Sequence, residues 1–389
     1  MKRAMISFRP VLLFVVCCIV VACAEKIDLE TPPVSEIFSV TDMVLTSDGR
    51  HLLVLSGNFD RRYDFGRVSV YDLDAREVVS SVLVDSIGGR LLLSPDERQI
   101  YVTTRERNRL HLLTLTRRVD GVLLLSYGLT KSLDDVSYIV HLEPYAMVLC
   151  SDEPLLFVTH LRNGEVSAFR REEHSLVATG TFALGNGVTA VREDVPHGVF
   201  LAAHKYERYL SLFRITANTP TMTTIVSSTL DLPLPQAGTD VRGLVSSIDS
   251  STYYLSFRNI DARGTQYPVL VKFSLIEEGA GIIRAERQWA TPLEGSLAEV
   301  AVAPCENGAE HEIVFAVSSD DSRLFALGGE TGVLFARIEL EDCTPYQVYV
   351  RPDDPVRRLF VGCFAEDRIL IVDGNCGSET FLSTIGEVP

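Results

Sequence analysis

Residues 90–104 read Arg-Leu-Leu-Leu-Ser-Pro-Asp-Glu-Arg-Gln-Ile-Tyr-Val-Thr-Thr. An apolar stretch runs into a Ser-Pro-Asp turn, a β-branched and aromatic strand follows, and Leu110 to Leu115 supply another. The phrase recurs. Leu45-Thr-Ser-Asp-Gly-Arg-His-Leu-Leu-Val-Leu55 is followed by Arg67-Val-Ser-Val-Tyr-Asp72. Leu149-Cys-Ser-Asp-Glu-Pro-Leu-Leu-Phe-Val-Thr-His160 is followed by Gly164-Glu-Val-Ser-Ala-Phe169, and Val350-Arg-Pro-Asp-Asp354 by Leu359-Phe-Val-Gly-Cys363. The last apolar residue before each turn gives seven register marks: Leu45, Leu93, Leu149, Val191, Val245, Val302 and Val350. Seven units of roughly fifty residues, each with four short strands, predict an all-β fold, a seven-bladed β-propeller of antiparallel sheets. No long stretch carries the i, i+3, i+4, i+7 apolar spacing of a helix. Closure into a ring hides the sheet edges that an open stack would expose.

These copies resemble the YVTN family of β-propeller repeats. The resemblance rests on Ser94-Pro-Asp96 with Tyr101-Val-Thr-Thr104, on Phe157-Val-Thr-His160 and Phe360-Val-Gly-Cys363, and on the strand ends Val70-Tyr-Asp72 and Val372-Asp373. It spans residues 38 to 385. It is close in blades 1, 2, 3 and 7 and degenerate in blades 4 to 6, where the turns read Arg192-Glu-Asp-Val195 and Ser246-Ser-Ile-Asp249. The final Asn of the family's motif is absent from every copy. The resemblance implies a binding scaffold and assigns no chemistry. The WD dipeptide does not occur, and Trp289 is the sole tryptophan.

The N-terminus reads as an export signal. Lys2, Arg3 and Arg9 precede the apolar run Val11–Val21, which is too short for a membrane span and right for a signal peptide. The run ends in Val20-Val21-Ala22-Cys23, which resembles a bacterial lipobox, so the expected anchor is lipid (palmitate and similar acyl chains) on Cys23. Several acyl chains hold a protein firmly to a membrane. Ala24 follows where an Asp would resemble an inner-membrane retention signal, so the expected location in the cell envelope is the outer membrane. The expected organisation is a lipoprotein signal peptide over 1–22, a tether over 23–37 and the propeller over 38–389. The blades are expected at about 38–85, 86–130, 143–184, 185–232, 238–293, 295–341 and 343–389. The leader carries three of the 36 basic residues and no acid, so the mature chain holds 33 against 52, a formal charge of −19. That excess excludes nucleic acid as a partner, because phosphate binding needs a basic surface. It also excludes a polybasic membrane patch.

Propeller geometry places the D–A and B–C loops on an upper face and the A–B and C–D loops on a lower one. Counting three residues back from each register mark predicts a funnel lined by Asp42, Arg90, Ala146, Val188, Arg242, Glu299 and Gln347, with Tyr145, Asp240 and Tyr346 beside it. Two long B–C loops are expected to rise on the same face and mix Arg, aromatic and acidic residues in the manner of binding surfaces. One offers Phe59, Asp60, Arg61, Arg62, Tyr63 and Asp64; the other offers Arg263 and Tyr267. His160 and His204 share one repeat position and suggest repeat register more than a metal pair. No catalytic or phosphate-loop motif occurs, and no zinc spacing, so neither catalytic residue nor metal nor cofactor is assigned. Of the mature cysteines besides Cys23, Cys343 and Cys363 converge near the upper face of blade 7, and Cys305 and Cys376 on the lower face. The expected disulfides are 343–363 and 305–376, leaving Cys150 free.

The reading preferred on sequence is a monomeric ring. It acts, through its upper face and central funnel, as a non-enzymatic binding or assembly module for a protein, peptide or glycan partner. The competing reading is an exported lactonase-like hydrolase using Asp42, Asp240 or Glu299 as acid, base or metal ligand.

Overall fold

The computed structural model describes residues 29–127, 137–140, 142–207, 209–216, 219–226, 240–258, 268–278, 282–305 and 310–389. These residues form seven antiparallel sheets, and among them there is no helix. Within each sheet the strands, here A to D from the axis outward, follow in chain order. Blade 1 is typical, with Val40–Leu45, His51–Ser56, Gly66–Asp72 and Glu77–Val84. The other inner strands are Gly88–Leu93, Pro144–Leu149, Val188–Asp194, Val241–Ser246, Leu297–Pro304 and Pro345–Val350. Each packs on the inner strand of the next blade, and that of blade 7 packs on that of blade 1. The chain is therefore a closed seven-bladed β-propeller.

The burial explains the sequence pattern. A middle strand has a neighbouring blade on both faces, so it needs an unbroken apolar run, and Leu52, Leu53, Val54 and Leu55 are all fully buried. The outer strand of blade 3, Leu176–Ala183, is almost wholly exposed. The core lies between blades: Leu201 and Leu212 of blade 4 pack with Leu244, Tyr253 and Val271 of blade 5. Tyr101, Phe157, Phe315 and Phe360 are wholly buried, and truncating such an aromatic to Ala costs about 3–5 kcal/mol.

The recurring A–B turn has a defined chemistry. The hydroxyls of Thr46, Ser94 and Ser247 each donate to the carboxylate two residues on, Asp48, Asp96 and Asp249, at 2.6 Å. The next residue, Gly49, Glu97 or Ser250, takes a left-handed conformation, with φ of 66°, 55° and 57°. This short-range hydrogen bonding pins the turn that the repeat spells out.

Two expectations need correction. In blade 4 the segment Arg192-Glu-Asp belongs to the inner strand, which runs to Asp194 before the turn. The outer position of blade 2 is shared by two short strands, Leu123–Ser126 and Ser137–Ile139, so that blade extends past residue 130. The outer strand of blade 7 is Thr384–Val388, and Glu379–Phe381 form a turn before it. Val34–Phe38 form no strand; Ile37 is buried among residues of blades 1 and 7, and Phe38 is buried against Tyr63 of blade 1.

With all four strands of blade 7 contiguous, the ring is closed by side chains along the seam between blades 7 and 1. On the upper side Arg62 grips Asp367 with two hydrogen bonds of 2.7 and 2.8 Å, and the backbone N–H of Ser39 donates to the same carboxylate at 2.8 Å. At the axis Gln347 donates to Asp42 at 2.6 Å. On the lower side Arg351 donates to the carbonyl of Leu45 at 2.9 Å and Arg358 to that of Gly49 at 2.5 Å. Blade 7 is stapled to blade 6 by a disulfide between Cys305 and Cys376. A second disulfide, Cys343–Cys363, ties the entry of blade 7 to its own B strand. Cys150 is a buried free thiol.

Candidate functional site

Every inner strand carries a register shift near its start, between Val40 and Asp42 in blade 1 and between Leu297 and Glu299 in blade 6, for example. Such a bulge re-aims the following side chain. Aligned on their cross-strand partners, the residues that follow the bulge form one ring around the axis: Asp42, Arg90, Ala146, Ala190, Gly243, Glu299 and Gln347. Five of the seven sequence-derived funnel positions coincide with this ring. Val188 does not, since it is fully buried two residues earlier, and Arg242 stands one residue above Gly243. Both slips have one cause. The equivalents of Leu45 in blades 4 and 5 are Glu193 and Ser246, so a mark placed on the last apolar residue falls short.

The ring is a closed charge system. Arg90 bonds the Glu299 carboxylate and lies 3.8 Å from Asp42. Asp42 also accepts from Gln347 and from the backbone N–H groups of Leu91 and Met43, at 2.7 and 3.0 Å. Glu299 accepts from the N–H of Val300 at 3.2 Å. Gly243 has no Cβ for a reason: one there would stand 2.5 Å from Glu299 Oε1. Burial pushes the Asp42 carboxyl above the ordinary aspartate value, while Arg90 pulls against it. Burial opposes the charge of Arg90, but Glu299, Tyr145 and Asp42 outweigh it and hold its pKa high. Of the three acids that could serve as base or ligand, Asp42 and Glu299 are thus engaged by one guanidinium, and Asp240 by another, Arg242.

Above the ring the upper mouth is narrow. Tyr145 of blade 3 and Tyr346 of blade 7 interact across the axis; the hydroxyl of Tyr145, then burial, raises the pKa of Tyr346. Arg90 and Arg105 lie on the face of Tyr145, and Phe59 packs edge-on to Phe364, which meets Tyr346. The cavity left there is about 40 Å³ and also touches Arg242, which Asp240 pairs at 2.7 Å. Below the ring the channel widens to a cavity of about 550 Å³ that reaches the lower face at Ser247, Ile248, Ser250 and Pro352. Among the described residues the wider mouth of the axial channel is therefore on the A–B side, opposite to the side expected.

The blade 1 loop is occupied with structure. Arg62 holds Asp367 and Asp60, Tyr63 packs on Phe38 at 4.8 Å, Phe59 stacks under Arg105, and Arg61 sits 3.9 Å from Glu106. The N–H of Asp64 donates to the carbonyl of Glu30. Arg263, Tyr267 and Cys23 lie outside the described residues. His160 and His204 are fully buried, each bonded at 2.8 Å to a serine of its own blade, Ser167 and Ser211. Nδ1 of His204 donates to the carbonyl of Asn186, and burial lowers its pKa to about 4. Among the described residues one cluster of three metal-binding residue types occurs, Cys343, Cys363 and Glu366, and its two cysteines are disulfide-bonded.

Sequence reasoning missed Arg192. Two residues further along each inner strand, on the same face and below the ring, the equivalent positions hold Val44, Leu92, Val148, Arg192, Val245, Ala301 and Tyr349. Six are uncharged and one is a guanidinium. Its Nε donates to the carbonyl of Leu244 at 2.9 Å. No carboxylate among the described residues lies within ion-pair distance of it. The side chain is open to the lumen but walled by protein, and burial lowers its pKa despite the more distant Glu299.

No protein-family model matches the chain, and no curated protein matches it. Solved structures do. Hydrazine synthase of Kuenenia stuttgartiensis aligns at a TM-score of 0.64 and 11% identity, over 92% of this chain and 99% of that one. The β-propeller domain of Cps50 (Swd1) of Myceliophteria thermophila aligns at 0.62 and 13%, over 88% and 98%. The periplasmic gluconolactonase PpgL of Pseudomonas aeruginosa aligns at 0.54 and 17%, over 77% and 84%. At these identities the likeness is one of fold.

Proposed function

We propose that the chain is an exported lipoprotein, anchored through Cys23 in the cell envelope, whose propeller is a non-enzymatic binding module for a protein, peptide or glycan partner. The observation that carries the non-enzymatic part is the ring itself. Asp42 and Glu299 are both held by Arg90, and Asp42 has further donors in Gln347, Leu91 and Met43. A carboxylate satisfied in this way is a poor general base and has to break ion pairs before it can bind a metal.

The tether supports an orientation. Glu30 bridges to Tyr63, and Arg67 donates to the carbonyl of Pro32 at 2.5 Å, so the N-terminal segment leaves from the upper side of blade 1. Seven residues separate Cys23 from Glu30, a reach of at most about 25 Å. A lipid on Cys23 keeps the upper face near the membrane and turns the wide mouth toward the aqueous side. Binding through the lower mouth and channel is therefore favoured over the upper loops, whose residues close the ring.

Two measurements test this. Growth with an alkyne fatty acid should label the protein, and Cys23→Ala should abolish the label. A photo-crosslinking residue at Ile248, on the rim of the lower mouth, should give a discrete envelope adduct that the same residue at Val177 on an outer strand does not. Lactone hydrolysis by the purified protein, lost in Asp42→Asn, is the result that rejects the binding-module reading in favour of the hydrolase.

A further inference from the structure

We propose that the lower channel is a binding site for a small organic monocarboxylate with an apolar body, and that Arg192 pairs with its carboxylate. The inference goes beyond the binding-module reading, adding a small-molecule ligand inside the channel that the lower mouth opens. The cavity, about 550 Å³, is in the range of sites for small organic ligands. Its wall below the charged ring is apolar, formed by Val44, Leu92, Val245, Ala301 and Tyr349. Arg192 breaks that wall. Its Nε is fixed on the Leu244 carbonyl, and its two terminal nitrogens make no hydrogen bond or ion pair with described residues. A guanidinium presents two parallel donors that match a carboxylate.

Ligand charge follows from the ring above. Asp42 and Glu299 share one cation, Arg90, so the ring carries a surplus of negative charge when both acids are ionised. It attracts Arg192 at long range but repels an anion that climbs past it. The carboxylate of a ligand is thereby held at the level of Arg192, and a second negative charge is disfavoured. The apolar body lies against the valine and leucine wall toward the lower mouth. A free inorganic anion gains the ion pair without the apolar contact, and a neutral alcohol gains the contact without the pair.

The experiment is calorimetric titration of the purified mature chain with octanoate, octanol, octylamine and inorganic phosphate. The parent should bind octanoate at one saturable site, at least tenfold more tightly than octanol, and should bind neither octylamine nor phosphate measurably. Arg192→Gln should weaken octanoate at least tenfold and leave octanol unchanged. Arg192→Met, which matches the neighbouring wall, should do the same, and it serves as the folded control if the glutamine variant is unstable. Arg192→Lys, which keeps the charge and loses the paired donors, should weaken octanoate less than either neutral variant does. Octanoate binding that survives in both neutral variants, or no saturable binding in the parent, overturns the proposal. A discrete adduct at Ile248 alongside a failed octanoate titration leaves the binding-module reading standing and removes only this site.

Discussion

Replacing Arg90 by Met tests whether the axial ring is a self-contained charge system. Arg90 has an 18% exposed side chain, and those of Asp42 and Glu299 are 8% exposed, so the trio is largely withdrawn from water. Removing the cation leaves two buried carboxylates with neutral donors only. Breaking a buried pair in this way costs about 3–5 kcal/mol, and the residual exposure places the expectation near 3. With a urea slope of about 3 kcal/mol/M, the unfolding midpoint should fall by about 1 M at pH 7.5. The pH dependence has a definite sign. Burial already raises Asp42 above the ordinary aspartate pKa, and Arg90 is the foremost influence opposing it. An acid whose folded pKa exceeds its unfolded one destabilises the fold when ionised. That penalty fades as pH drops through the raised pKa toward 3.8. The deficit of Arg90→Met relative to the parent should therefore shrink between pH 7.5 and pH 5. Adding Glu299→Gln should recover most of it at either pH, because one unpaired charge is gone. A single variant whose midpoint stays within about 0.2 M of the parent at both pH values would refute the reasoning. The carboxylates would then be adequately solvated without Arg90, and the case against an acid–base or metal site at the ring would fall with it.

Three further outcomes follow from the same structure. Loop-closure entropy predicts that losing the Cys305–Cys376 disulfide, with 71 residues of separation, costs about 4 kcal/mol, against about 3 for Cys343–Cys363 at 20; urea unfolding of paired Cys→Ala variants should preserve that order. His204, buried with a pKa near 4 against 6.5 for the free side chain, contributes stability that is present above pH 6.5 and is lost as pH falls toward 4. The difference amounts to about 3 kcal/mol, and His204→Gln should flatten that part of the stability–pH curve measured by urea unfolding. At the closing seam Asp367→Ala should destabilise by about 1 kcal/mol more than Arg62→Ala, since it also strands the N–H of Ser39; equal thermal shifts would contradict the shared-acceptor arrangement.

What was legible in the sequence was what short-range chemistry repeats. The Ser/Thr-x-Asp turn and the apolar run after it are local, and both survive in enough blades to reveal the period, so the sevenfold ring could be read without coordinates. The axial site is non-local by construction. Arg90 and Glu299 stand 209 residues apart in blades 2 and 6, and Tyr145 meets Tyr346 from blades 3 and 7; no spacing rule links them. The cysteine pairs lay within reach because blade phase alone put their partners on a common face. Register failed where the repeat's own signal failed. Glu193 replaces the apolar residue that closes the inner strand in five other blades, so Arg192-Glu-Asp has the composition of a turn while its backbone pairs with Leu201, Phe200 and Val199 as strand. Local propensity in that segment was overridden by pairing with the B strand and by packing against the inner strands of the two neighbouring blades. The override has a functional implication. A charged residue in an inner strand two residues below the ring weakens both the turn signal and the apolar wall. No carboxylate among the described residues pairs with Arg192 at contact distance, and only the Leu244 carbonyl accepts from it. A site where the local sequence pattern breaks without an internal structural return is where a ligand is most reasonably sought.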